Sequence, residues 1–190
     1  MIELRVATPP QWAENIVQNL DLFLPDHAAA EKKASSMALT MVSHYPDKAD
    51  LVVAMIDLAL EELNHFRAVV AMMNERNLIL LPDQKDPYVN SLRRLVRHGE
   101  PEYLTDRLLV GGIVEARGAE RFGLIADALP EGKTKQFYQA ITRSELEHRG
   151  LFFQLAKTYG HSSDVQVRLD ELLDSEAEIV RSLPIRPALH

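Results

Sequence analysis

The tetrapeptide Glu-Leu-x-His occurs twice, each time inside a long stretch of helix-forming residues. The first copy is Glu62-Leu63-Asn64-His65, within LVVAMIDLALEELNHFRAVVAMM, and the second is Glu145-Leu146-Glu147-His148, within ITRSELEHRGLFFQLA. Glu and His three residues apart share one helix face, so each pair can present an oxygen and a nitrogen to one point. A charge buried in such a segment without a partner costs several kcal/mol, so these groups must reach water, pair with one another, or hold a metal. Sixteen Glu and seven His in a chain of 190 residues would give roughly 0.6 such pairs by chance. A lone helical glutamate precedes each pair at nearly the same distance: Glu31 lies 31 positions before Glu62, and Glu115 lies 30 before Glu145. The two halves of the chain repeat one arrangement.

Helix signals dominate and strand signals are nearly absent. Thr8-Pro9-Pro10 opens a short N-terminal helix. The next runs from about Asp26 to His44, where Tyr45-Pro46 stops it, because proline disfavours helix in the residue before it. Asp47 is expected to cap a helix reaching about Arg76. Asp86-Pro87 opens a short helix that Gly99 closes, and a third long helix runs from Pro101 to about Leu129. Pro130-Glu131-Gly132 turns the chain into a fourth, from about Lys133 to Tyr159; Ser162 or Ser163 caps a last helix to Leu183. Short turns join the first and second long helices and the third and fourth, which makes two antiparallel hairpins with a longer crossover between them. The expectation is one all-α domain over residues 1–190, a four-helix bundle with short flanking helices.

Hairpin geometry pairs the glutamates. Residues equally far from the turn lie at one level, and with a rise of ~1.5 Å per residue Glu31 and Glu62 differ by roughly 3 Å. Glu120 lies five residues nearer the turn than Glu115 and misses the level of Glu145 by ~7.5 Å. Glu115 is therefore preferred, with Glu120 left open. Glu61, Glu120 and Glu147 read as solvated helix charges. His27, four residues before Glu31, reads as a surface histidine near a helix start, with a partner role toward Glu31 as the alternative. Met37, Met41, Met55, Met72 and Met73 read as core filler.

The absence of cysteine from the sequence removes disulfides, thiolate metal sites and cysteine nucleophiles, so any metal must be held by His and carboxylate. Four Glu and two His facing inward form the constellation of ferritin-like carboxylate-bridged di-iron or di-manganese bundles. Four carboxylates balance two divalent ions, whereas without metal they repel one another. By resemblance to that class, Glu62 and Glu145 would bridge the metals, Glu31 and Glu115 would each bind one terminally, and His65 and His148 would each cap one. Oxygen-rich ligation with one imidazole per metal suits iron or manganese.

A closer resemblance follows from DHAAAEKKASSMALTMV, EELNHFRAVVAMMNERN, LLVGGIVEARGAERF and SELEHRGLFFQLA, in this order over roughly Asp26 to Tyr159. These runs resemble the MiaE-type tRNA hydroxylases. The resemblance implies an oxygen-dependent, non-haem di-iron monooxygenase that hydroxylates the isopentenyl group of 2-methylthio-isopentenyladenosine beside the tRNA anticodon. It implies two Fe ions held by Glu31, Glu62, His65, Glu115, Glu145 and His148, with dioxygen as co-substrate. Electrons would come from a separate reductase, because no G-x-G-x-x-G fingerprint is present. The alternative is a ferritin-like ferroxidase or peroxide-handling protein without an organic substrate.

A net charge of -7 argues against RNA at first, but Asp164 to Glu178 alone contributes -5 of it, and two divalent metals would bring the total to -3. Arg93, Arg94, Arg97 and His98, in SLRRLVRHG, are the candidate phosphate contacts, placed on the short crossover helix. A merely solvated basic face fits that run equally well. The N-terminal MIELRVATPPQW has neither the basic start nor the apolar core of an export signal, and no apolar run suits a membrane span, so a cytoplasmic protein is expected.

Overall fold

Seven helices and no strand make up the computed structural model, which describes residues 2–100, 102–160 and 162–190, the side chains of Ser162 and Ser163 excepted. In chain order the helices are α1 (Pro10–Gln18), α2 (Leu20–His44), α3 (Ala49–Glu75), α4 (Pro87–Arg93), α5 (Glu102–Ala128), α6 (Lys133–Tyr159) and α7 (Ser162–Ser182). The expected helix start at Pro101 and the expected caps Ser162 and Ser163 lie outside the described residues or side chains. No helix among the described residues is long and apolar enough to cross a membrane.

The chain divides into two compact units. One comprises residues 18–84 and 187–189, and the other residues 1–17, 85–186 and 190. The first is the α2–α3 hairpin. Helix α2 begins six residues earlier than expected and carries Pro25 inside it. Proline forfeits one intrahelical bond, but Phe23, Leu24 and Pro25 are all buried, and that burial outweighs a single missing N–H. Asp47 does not cap α3. The Lys48 N–H bonds to the Tyr45 carbonyl at 3.2 Å, a turn that delays the helix to Ala49, and the Asp47 carboxylate accepts from Lys48 Nζ instead. At the far end Asn77, with φ of 58°, takes the left-handed conformation that ends many helices, and the Leu78 N–H bonds back to the Met73 carbonyl at 2.9 Å. Lys32 then pairs with Asp83, and Lys33 Nζ donates to the Gln84 carbonyl, which ties the following loop to α2.

The second unit holds the α5–α6 hairpin, with α1, α4 and α7. The two long helices approach closely at Gly111 and Gly112. A Cβ on Gly111 would stand 2.9 Å from the Phe152 ring, and one on Gly112 would stand 2.5 Å from Ile2. Asp86 caps α4 as expected, its carboxylate accepting from the Val89 N–H at 3.0 Å. The helix ends at Arg93 rather than Gly99, because Leu95 and Val96 bond three residues back and buried Asp106 accepts from the Arg97 N–H. Helix α7 is less purely a solvated acidic face than its composition suggests. Val165, Leu169, Leu172 and Leu173 are buried along one stripe, and Glu176 with them. Arg117, fully buried, donates from Nε and Nη2 to Glu176, which also accepts from the Tyr88 hydroxyl at 2.9 Å.

Candidate metal centre

Glu31 enters from α2, and Glu62 and His65 enter from α3. Ser35, one turn beyond Glu31, donates to the Ala59 carbonyl at 2.9 Å, and this cross-helix bond sets Glu31 at the level of Glu62. His65 Nδ1 lies 3.5 Å from Glu31 Oε2 and 3.6 Å from Glu62 Oε2. Both carboxylates are buried. Burial pushes the His65 imidazole down, but hydrogen bonds and the charges of Glu31 and Glu62 outweigh it and lift its pKa to about 10.

His27 is not a surface histidine. It is fully buried, stacks on Phe23 with centroids 5.5 Å apart, and donates from Nε2 to Glu31 Oε1 at 2.7 Å. Burial, aided by the charge of His65, lowers its pKa to about 3, so the ring is neutral and acts as a donor. It fixes the orientation of a ligand carboxylate, as groups behind metal ligands do. The i, i+4 spacing of Phe23, His27, Glu31 and Ser35 places all four on one face of α2, which is the signal behind the alternative reading of His27 as a partner of Glu31.

In the second unit Glu115 comes from α5, and Glu145 and His148 come from α6. His148 Nδ1 lies 3.9 Å from Glu115 Oε2 and 3.9 Å from Glu145 Oε2, and all three side chains are buried. Ser144 Oγ stands 3.4 Å from His148 Nε2. The residue four before Glu115 is Gly111, packed on Phe152, so the α5 position that matches His27 carries no imidazole. Glu120 is otherwise engaged. It accepts from the Thr8 N–H at 2.9 Å and the Thr8 hydroxyl at 2.7 Å and pairs with Arg117, so it is neither a rival to Glu115 nor a solvated charge. Glu61 and Glu147 are exposed, as expected.

The donor sets fit a divalent ion. Two ligands at ~2.1 Å from one metal, at 90–120° to each other, stand ~3.0–3.6 Å apart. His65 already meets that spacing to Glu31 and to Glu62, and His148 would close on Glu115 and on Glu145 by a few tenths of an ångström. One ligand atom from each member of each triplet lies within 4.8 Å of the others. Carboxylate and imidazole donors of this kind suit iron or manganese.

The family model of tRNA-(ms2io6A)-hydroxylase, MiaE, matches residues 2–190. The chain belongs to the MiaE family. The tRNA 2-(methylsulfanyl)-N(6)-isopentenyladenosine(37) hydroxylase of Pseudomonas putida is 36% identical over 175 residues, 92% of this chain and 85% of that protein. The Salmonella typhimurium protein of the same name is 32% identical over 83% of this chain and 57% of its own length. A solved structure, protein 43 with aldehyde deformylating oxygenase activity from Synechococcus, superposes with a TM-score of 0.92 at 32% identity, over 98% of this chain and 94% of that one. The fold is the all-α, ferritin-like four-helix bundle that the sequence implied.

The basic run near the crossover separates into two kinds of residue. Arg93 and Arg94 are exposed. Arg97 and His98 are exposed too, but Arg97 forks onto Asp106, with Nε at 3.1 Å and Nη2 at 2.8 Å, and His98 stacks on Tyr103 with centroids 6.0 Å apart. Arg97 and His98 also lie beyond the end of α4, not on it.

Proposed function

We propose that this protein is an oxygen-dependent tRNA hydroxylase acting on the isopentenyl group of 2-methylthio-isopentenyladenosine beside the anticodon, in the cytoplasm. Membership of the MiaE family over residues 2–190 is the observation that carries the reading. In the proposal the two units work as one domain, in which Glu31, Glu62 and His65 would hold one iron and Glu115, Glu145 and His148 the other. When bound, the two irons would supply the activation of dioxygen that C–H oxidation requires. One oxygen atom enters the C–H bond and the other leaves as water, with two electrons and two protons from an external reductase. The protein's part is to hold the ligand carboxylates in register, through Ser35 and His27, and to keep them dry.

Arg93 and Arg94 are the proposed phosphate contacts, while Arg97 and His98 shape the turn behind them. Charge reversal at Arg94 should weaken tRNA binding and reduce its salt dependence by about one ion; unchanged binding across salt concentrations would remove the assignment.

The enzymatic reading is tested with iron-loaded protein, a chemical reductant, oxygen and tRNA carrying the thiomethylated, prenylated adenosine. Nucleoside analysis should show that adenosine gain one oxygen atom, and Glu62→Ala and His65→Ala should lose both iron and product. Turnover of an aldehyde, with the tRNA left unchanged, would overturn it.

A further inference from the structure

The α2–α3 unit carries a recess of about 360 Å³ that the metal ligands do not use, lined by Leu63, Asn64, Phe66, Arg67, Val70 and Leu80. Its size is at the lower end of the ~300–1,000 Å³ typical of small-molecule sites, enough for one substituted purine. We propose that this recess seats the thiomethylated, prenylated adenine of the substrate, an inference that rests on the tRNA hydroxylase reading above.

Successive residues turn by ~100°, so Phe66 stands ~40° round from Glu62 and one turn along, while Leu63, Val70 and Arg67 stand ~80–140° round. Phe66 is thus the wall shared by the ligand face and the recess. The His65 side chain is 17% exposed, whereas that of His148 is 5% exposed, so the half-site to which α3 contributes is the one that reaches solvent, with His65 itself ~60° round from Glu62 on the side away from Leu63 and Val70.

Leu63, Phe66, Val70 and Leu80 offer apolar surface to a prenyl and a methylthio group, and the Phe66 ring can also face a base. The Asn64 amide carries both a donor and an acceptor, the pair that reads an adenine edge. Arg67 brings a positive charge suited to the flanking phosphate. Exposed apolar side chains would otherwise be a liability, and Leu63 and Leu80 are 51% and 48% exposed. The left-handed turn at Asn77 at one end and the anchors from Lys32 and Lys33 of α2 at the other hold the loop that carries Leu80, so the recess is built from restrained backbone.

The test compares two anticodon stem-loops, one carrying the modified adenosine and one with plain adenosine, binding to iron-loaded protein under anaerobic conditions. Wild type should prefer the modified RNA. Phe66→Ala and Leu63→Gln should each lower that preference about tenfold with iron content unchanged. Arg67→Gln should weaken both RNAs alike. Should Phe66→Ala disturb the fold, Leu63→Gln on the exposed surface keeps the question open to measurement. If wild type prefers the modified RNA, and hydroxylates it once oxygen and reductant are supplied, while these variants keep its full preference, the recess is not the base site. If wild type shows neither preference nor hydroxylation, the enzymatic reading itself fails.

Discussion

Replacing His27 with phenylalanine removes one hydrogen bond and keeps a ring of similar size stacked on Phe23. The bond lost runs from Nε2 to Glu31 Oε1 at 2.7 Å, in a position with no exposed surface, so water cannot take it over. A hydrogen bond to an ionised carboxylate contributes ~1.5–3 kcal/mol, and removing a group that orients a metal ligand lowers metal affinity by ~10–100-fold, or ~1.4–2.8 kcal/mol. The two scales agree. Anaerobic titration with ferrous iron against a chelator should therefore show one of two iron sites weakened by ~10–100-fold, the other unchanged. His27→Gln, whose amide can still donate, should recover part of the loss. Two sites of wild-type affinity in His27→Phe would refute the assigned role of His27.

Other outcomes follow from the buried charges. Glu176→Gln leaves the Arg117 guanidinium buried with Glu120 as its remaining carboxylate partner, and urea unfolding should show a loss of about 3 kcal/mol. Asp86 lies low, at about 2 against an ordinary 3.8. Burial alone would raise it, but the hydrogen bond and charge of His190 and the N–H groups of Val89 and Tyr88 outweigh that. A depressed carboxyl favours the folded state above its unfolded value. The contribution, about 2 kcal/mol, should be complete above pH ~4 and disappear as pH falls through ~2, and Asp86→Asn should remove that part of the acid transition. Glu120→Gln should leave iron content at the wild-type level while loosening the Thr8 segment; iron loss in that variant, with Glu115→Gln retaining iron, would reverse the choice between the two glutamates.

Repetition made the candidate site legible. Glu-Leu-x-His recurs because both hairpins solve the same problem, and a spacing of 31 or 30 residues back to the lone glutamate reports their geometry without coordinates. The departures came where several distant residues act together. The reading of His27 went wrong because solvation depends on what covers the start of α2, and the end of α4 moved because Asp106, on another helix, captures Arg97. The role of Glu120 depended on Thr8, 112 positions away.

By itself, the sequence determined the helical hairpins, the absence of thiolate chemistry and the identity of the six candidate ligands, since periodicity and local spacing are short-range properties. Only the tertiary structure decided which charges are buried and by what they are balanced. Glu176 and Glu178 stand in one acidic run, yet Glu176 meets Arg117 in the interior while Glu178 is exposed. Desolvation depends on every neighbour in space, and no local pattern encodes it.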